Sequence, residues 1–474
     1  LVMGRYSTLS LFQQMGIQIG TDAVPIYGDV AYKFNWNLKN GGNLSFFGIG
    51  GKSNIEILVS ENEEYTEEFY GEGDRDQYFG TSMAVTGLNY KKSLSEKTFL
   101  TTTLAYSFEE QHSQHKYLIR GLDTLNQGTA DESYKIRIDS IYPMMGYQYT
   151  MNKISYHLGL NHKFNPRHLI KAGINVDYFM LNHVDSVLPL VSDTFFVKRW
   201  DYKGTAAMIQ PFVQWKWRIT ESMDFTAGLH SQYFSMSNSF SPVEPRLGWK
   251  YRLKKNQSIF AGAGMHSQAQ PIYTYTYHLL DANGDKVYHN KNMDFTRSLH
   301  SGLGYEKSFG KGLNFRTEVY YQQLYNVPVT IAPSSYSLIN MGSGFARFFP
   351  DSLQNTGTGT NYGLELTLQK YFSNSFFFLF SGTIYNSTYV GSDGIERNTS
   401  YNGNYVTNVL AGKEFKINQK QSISVGTKIT FAGGQRYGYV DIAASQIQNE
   451  IIYSDSLYNE RQFKDYFRMD LKVN

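Results

Sequence analysis

Two histidines stand three residues apart in Gln111-His112-Ser113-Gln114-His115, and paired imidazoles are a common start for a transition-metal site. No carboxylate or third imidazole is fixed beside them by spacing, so a solvated polar loop explains the segment more economically. The acidic run from Glu61 to Asp76 includes Glu63, Glu64, Glu67, Glu68, Glu72 and Asp74, and would attract cations or a cationic substrate. A run of this kind is ordinarily just a hydrated surface. Gly48-Ile49-Gly50-Gly51 and Gly357-Thr358-Gly359 are rich enough in glycine to approach a phosphate, yet neither precedes a helix, which a phosphate cradle requires. With no cysteine in the chain, thiolate chemistry and disulfides are ruled out. These residues point to no enzyme, no cofactor and no bound metal.

The elements around them carry more information. The chain has 474 residues, and no composition break divides it into domains. Aromatics make up 16% of it, with 38 Tyr and 32 Phe, an excess suited to rings placed where oil meets water. Mean hydropathy is −0.41, and the densest apolar run, Phe376-Phe377-Phe378-Leu379-Phe380, falls far short of the ~20 residues of a spanning helix. A membrane-crossing strand is apolar on one face only and needs ~9–11 residues, so this composition permits a barrel. A formal net charge of +3 is too small to argue for nucleic acid. Leu1 opens without an initiator or a basic leader, and we expect processing or the choice of segment to have removed what precedes it.

The stretch Glu244–Gln268 sets the pattern. Leu247, Trp249, Tyr251 and Leu253 alternate with Arg246, Gly248, Lys250 and Arg252, a period of two that gives one apolar and one polar face. After the polar turn Lys254-Lys255-Asn256-Gln257, Ile259, Ala261, Ala263 and Met265 resume the apolar face, which predicts an antiparallel hairpin. Similar hairpins are predicted with turns at 39–42, 91–97, 165–168, 220–223, 310–312, 372–375 and 418–421, and a last strand, 467–473, is expected to end the chain unpaired. Residues 1–28 read as a connection. Turns of roughly four to seven residues thus alternate with loops of roughly twenty to forty, an asymmetry that a soluble sandwich has no reason to adopt. About 17 strands result, too many for an open twisted sheet, and an odd count leaves edges that lipid cannot satisfy. We therefore expect an all-β, transmembrane antiparallel β-barrel in which these strands are part of the wall, completed by further strands or by a second chain.

Several phrases, in this order and spacing, resemble one family: EPRLGWKYRLKKNQSIFAGAGMHSQAQP, KNMDFTRSLHSGLGYEKSFGKGLNFRTEVYYQQLYNVPV, NTGTGTNYGLELTLQKYF, RNTSYNGNYVTNVLAGKEF and AGGQRYGYVD. Over nearly the whole chain it looks like the barrel of a TonB-dependent outer-membrane receptor of the Bacteroidota type. The resemblance implies a 22-stranded barrel with short periplasmic turns and long extracellular loops, in the outer membrane of a Gram-negative bacterium. It implies a plug domain and TonB box upstream of residue 1 and terminal strands after residue 474. It also implies import of a scarce nutrient of the siderophore, cobalamin, glycan or peptide class, driven by a TonB-type periplasmic energy transducer that pulls the plug. Expected partners are that transducer, outer-membrane lipid, a surface lipoprotein and the nutrient itself. The rival readings are a passive porin, a structural or adhesive barrel, and a soluble aromatic β protein.

The face opposite the lipid then becomes the candidate site. Lys33, Arg246, Lys250, Arg252, Arg297, His300, Arg316, Glu318, Glu365, Arg468 and Asp470 are expected to project into the lumen, where charged hydrogen bonds would hold a plug or contact substrate. Plug anchoring and hydration of the bore are the simpler uses for such charges.

Overall fold

The computed structural model describes residues 1–7, 25–39, 41–61, 73–125, 128, 133–188, 195–310, 312–342, 352–448 and 452–474. Among these residues the architecture is one antiparallel sheet of 21 strands. Tyr233–Phe234, Ser239–Phe240 and Glu396–Asn398 are short extensions at the loop end, leaving eighteen strands in simple up-and-down order. The first nine are β1 (Val2–Tyr6), β2 (Ile26–Asn37), β3 (Gly42–Ile57), β4 (Arg75–Ser95), β5 (Thr98–Leu125), β6 (Ser133–Asn165), β7 (His168–Val187), β8 (Val197–Arg218) and β9 (Met223–His230). The second nine are β10 (Glu244–Leu253), β11 (Gln257–Gln268), β12 (Thr296–Ser308), β13 (Leu313–Thr330), β14 (Leu353–Ser373), β15 (Phe376–Val390), β16 (Tyr405–Lys416), β17 (Ser422–Ala432) and β18 (Tyr466–Val473).

Register shows what each face touches, because directly opposed residues of an antiparallel pair share a face. Val319 on β13 stands opposite Leu303 on β12 and Leu364 on β14, and Leu364 opposite Ile384 on β15. These four are 49%, 52%, 37% and 68% exposed, an apolar row left open by the described residues. One residue along, the other face carries Glu318 opposite both Gly304 and Glu365. Hydrocarbon on one side and water on the other is the arrangement that leaves neither row unsatisfied.

The apolar band has definite borders. On β5 the outward residues Leu100, Thr102, Leu104, Tyr106 and Phe108 give way to Glu110, His112, Gln114 and Lys116. The band along this strand therefore spans about nine residues, enough for the hydrocarbon layer. Aromatic rings gather at this border: Tyr106 and Tyr178 share a row through Ile154, Tyr321 opposes Tyr362, and the rings of Tyr405 and Phe431 lie 5.3 Å apart. Toward the turn end, Trp215 stacks on Trp217 at 5.5 Å and Trp249 on Tyr251 at 6.2 Å. Such rings place an apolar body in oil and a polar edge in water.

All eight short connections lie at one end. The Asn374-Ser375 turn illustrates the chemistry: Ser373 pairs with Phe376, and the two residues between have φ of 54° and 60°, the left-handed pair that a tight hairpin with right-twisted strands needs.

The structure corrects the sequence reading in several places. Residues 1–28 are not wholly a connection: β1 pairs with β2 from Val2–Tyr32 to Tyr6–Gly28, so the count is eighteen rather than about 17. The final strand is not unpaired; β18 joins β17 from Ala432–Tyr466 to Val425–Val473. The second turn is confined to Glu96-Lys97 because β4 and β5 pair as far as Ser95–Thr98. Gln111–His115 is not a loop but part of β5, where residues three apart point to opposite faces, so His112 and His115 cannot share a metal ion. Of the acidic run, residues 62–72 lie outside the described residues; Asp76 is buried and accepts a 2.8 Å hydrogen bond from the Ser60 amide. β5 and β6 run on beyond the apolar band, where the sequence reads as one of the long loops, because there both of their faces are wet and the alternation that marks a strand disappears.

Candidate functional site

Four successive rows on the polar face of β9 to β14 form the wall of the candidate site. Nearest the loop end, Arg246, Gly264, His300, Gln322 and Asn361 are in register on five strands. The next row is Gly248, Gly262, Gly302, Tyr320 and Gly363. Below it come Asp224, Lys250, Phe260, Gly304, Glu318 and Glu365, then Arg252, Ser258, Glu306 and Arg316. The sequence reading singled out Arg246, Lys250, Arg252, His300, Arg316, Glu318 and Glu365; the fold brings these into one patch. It does not bring Lys33, Arg297, Arg468 or Asp470 there. Lys33 is exposed on β2, Arg297 bonds Asp294 at 2.6 Å near the loop end, and Arg468 bonds Asp470 at 2.8 Å on β18.

Most of these charges are neutralised by the wall itself. Lys250 Nζ reaches Glu306 Oε1 at 2.5 Å, and Ser258 Oγ donates to the same oxygen at 3.0 Å. Arg252 bonds Asp224, which also lies 3.7 Å from Arg218. Arg316 donates to Glu318 at 2.9 Å and lies over the Phe260 ring at 4.5 Å. Arg246 donates to Glu244 at 2.9 Å, and the fully buried Glu244 carboxylate also takes His230 at 2.8 Å and Gln232 at 3.2 Å. Sequence reasoning missed Asp224, Glu244, Glu306, His230 and His266. Register is needed for Asp224, Glu306, His230 and His266, since Lys250 and Glu306, for example, are 56 positions apart, whereas Glu244, two residues before Arg246 on β10, shares its face by alternation alone.

Glu365 is the exception. It faces Glu318 directly, and among the described residues no cation pairs with it. On the loop side, Asn361 Nδ2 donates to Gln322 Oε1 at 2.8 Å, which leaves the Gln322 amide to donate to Ser298 Oγ and His300 Nε2, each at 3.0 Å. His300 therefore carries its proton on Nδ1. Its ring meets His266 edge-on at 4.9 Å. Between these two ends the glycine row leaves a recess of about 550 Å³.

At the loop end, above the recess, the loops pack into two lobes. Residues 269–295, with the short helix Ile272–Thr276, fold onto the polar face of β7 and β8, burying Phe179, Leu181, Phe234, Tyr275 and Phe295 in one cluster. Trp200 Nε1 donates to the Tyr273 carbonyl at 2.9 Å, and His183 Nδ1 meets Thr276 Oγ1 at 3.0 Å. Burial pushes the Tyr275 phenol up to about 12. A second lobe joins three other loops. Arg397, 2% exposed, holds Asp393 at 2.5 and 2.9 Å and donates to the Asp455 carbonyl at 2.8 Å, while Asp455 Oδ1 accepts from the Ser335 amide at 3.0 Å. The Arg397 guanidinium keeps the Asp393 carboxyl below its ordinary range. The lobes meet where Tyr336 packs on the first cluster and the Leu353 amide donates to Asn290 at 2.8 Å.

Among the described residues no group of three or more His, Cys, Asp or Glu side chains could hold a metal ion.

Comparison with known proteins agrees with this geometry. Residues 16–474 match the family described as TonB dependent receptor-like, beta-barrel. No curated protein matches the chain in sequence. Its fold is similar to the ferric-catecholate import receptor Fiu of E. coli K12, with a TM-score of 0.65 and 12% identity over 100% of this chain and 70% of that one. It is also similar to the siderophore receptor PiuA of Acinetobacter baumannii, with a TM-score of 0.66, 12% identity and the same coverage. The FrpB iron transporter of Neisseria meningitidis follows, with a TM-score of 0.63 and 11% identity over 95% of this chain and 65% of that one.

Proposed function

Because the chain belongs to the TonB-dependent receptor β-barrel family and so forms a barrel in the outer membrane, we propose that it is the wall of an energy-coupled importer for a scarce nutrient of the siderophore, cobalamin, glycan or peptide class. The observation that carries this reading, beyond family membership, is the mouth. Two loop lobes with buried cores stand packed at the loop end, one of them on the inward face of β7 and β8. A passive pore gains nothing from packed side chains at its entrance, whereas an importer must hold cargo above a blocked bore until energy is supplied.

In this reading a plug and its TonB-binding peptide belong to segments outside residues 1–474, as do the strands that complete the wall, and the chain is of the Bacteroidota type. The self-paired charges Lys250–Glu306 and Arg252–Asp224 form a hydrated, electrically balanced surface along which a plug can shift. A surface lipoprotein is a candidate neighbour at the loop end. The barrel wall performs no bond chemistry.

The test is uptake in the native host. Deleting the gene, or the energy transducer, should each abolish high-affinity uptake of one nutrient, and collapsing the proton gradient should do the same. Uptake that survives loss of the transducer and of the gradient would establish the passive pore instead.

A further inference from the structure

The wall balances its own charges on β9 to β13, but on β6 to β8 it leaves a surplus of one sign. Register carries the inward row of Gly248 back through Thr226 on β9 to Lys216 on β8, Leu169 on β7 and Lys163 on β6. The row of Arg246 passes likewise through Gly228 and Gln214 to Lys171 on β7. Three lysines therefore surround Leu169 on the bore side near the turn end, two of them directly across from it and the third two places along its own strand. Diagonal neighbours in a sheet lie about 7–8 Å apart, within a Debye length, so these ammonium groups repel one another.

The carboxylates that face the bore on β6 to β9 are already engaged. Asp224 is held by Arg252 and also lies 3.7 Å from Arg218, Asp185 takes Arg199 at 2.7 Å, and Asp177 accepts from Ser155 and lies 3.9 Å from Lys153. Among the described residues none pairs with Lys163, Lys171 or Lys216. Lys171 reaches only the ring of Phe212, 5.5 Å from its centroid. Lipid cannot supply the missing charge either: the outward face of these strands carries Ile170, Trp215 and Trp217, so phosphate headgroups lie on the other side of the sheet from the lysines. Cargo is present only in transit, whereas the repulsion is permanent. The counter-charge must be resident in the bore.

We propose that this cationic face of β6 to β8 is the seat of an acidic surface of the plug, whose carboxylates pair with Lys163, Lys171 and Lys216 and fasten it to this side of the bore near the turn end. The inference rests on the importer reading, to which the plug belongs, and adds where on the wall the plug is held and the sign of the surface that meets it. An anionic cargo is the competing occupant.

The full-length protein carrying Leu169→Cys tests the seat, since the wall has no cysteine of its own. Its rate of labelling by N-ethylmaleimide, an uncharged reagent, is divided by the rate for the same variant lacking the segment upstream of residue 1, which removes the lysines' own effect on the thiol. In wild-type background this ratio should be well below one. Lys163→Glu, Lys171→Glu and Lys216→Glu together should raise it about tenfold, the combined effect expected of three exposed ion pairs. The three glutamine substitutions should raise it less, and concentrated salt should move the wild-type ratio toward that of the reversed variant. None of the three side chains is buried, so the heat-resistant folded mobility of the wall should be the same throughout. A low ratio indifferent to charge reversal and to salt would overturn the seat and leave the importer reading standing. That result, joined to loss of uptake of an anionic nutrient in the reversed variant, would assign the lysines to cargo instead. A wild-type ratio of one would remove the plug itself, and with it the importer reading.

Discussion

Tyr321 on β13 and Tyr362 on β14 stand directly opposite each other on the outward face, and each keeps nearly half its surface uncovered by protein. Three residues toward the turn end, on the inward face, Glu318 and Glu365 are opposed in the same way. One pair of strands thus carries rings to a lipid border and acids to a bore. An opposed aromatic pair contributes about 0.2–1 kcal/mol beyond its separate members. Unfolding in lipid vesicles of Tyr321→Ala, Tyr362→Ala and the double variant should therefore give a coupling in that range, and strict additivity would show that the two rings do not act as a pair.

Leu158 lies on the apolar face of β6 with Ile154, Tyr156 and Leu160, and Leu229 is 48% exposed on the same face as Leu247 of β10. An arginine at the bilayer midplane of a barrel costs ~2–4 kcal/mol, falling toward the borders. Leu158→Arg and Leu229→Arg should each lower the fraction of heat-resistant folded barrel recovered from membranes. Lys250→Ala, on the inward face, loses only a pair whose members are 38% and 35% exposed, worth at most about 1 kcal/mol. Equal recovery for all three variants would contradict the assignment of faces.

The first lobe should fail independently of the barrel. Phe234 and Phe295 are 0% and 1% exposed in the cluster beneath residues 269–295. Truncating a buried phenylalanine to alanine costs about 3–5 kcal/mol, and here the loss falls on loops rather than on the strand ladder. Phe295→Ala should speed amide exchange and proteolysis across 269–295 by two orders of magnitude or more, while β12 and β13 keep their protection. Loss of protection throughout the sheet would mean that lobe and barrel unfold as one unit.

The sequence made the wall legible for a physical reason. Within the apolar band each strand separates oil from water, so Leu247, Trp249 and Tyr251 against Arg246, Lys250 and Arg252 reveal both the strand and its facing. All eight short turns were readable from the polar residues that interrupt this alternation. Above the band the contrast vanishes: Glu110, His112, Gln114 and Lys116 on β5 are polar on the outward side, and His115 and Ser113 are polar on the inward side. β1, five residues long, is too short to show a period at all. The recess was half legible. Alternation gave Arg246, His300, Glu318 and Glu365, but which charges pair is a matter of register between strands distant in sequence. Glu306 and Asp224 gave no local sign of being partners, and the alignment of Gly248, Gly262 and Gly302 becomes visible only once three strands are laid side by side.

The second lobe should depend on acid pH through one carboxylate. Arg397 holds Asp393 in a two-bond clamp and so holds the pKa of that carboxyl in the folded protein below its ordinary value near 3.8. A carboxyl depressed on folding contributes stability that is complete above the unfolded value and is lost as pH falls through the folded one. The guanidinium stays charged throughout, so protonating Asp393 leaves a buried cation with its main partner removed. Amide exchange at residues 393–399 and 455–459 should be slow from neutrality down to about pH 4 and rise steeply below it. Asp393→Asn, which cannot titrate, should exchange faster at every pH and show no such rise, and Arg397→Lys, which loses the two-bond geometry, should move the onset toward higher pH. A rise of the same size and position in wild type and Asp393→Asn would assign the acid sensitivity to some other carboxylate.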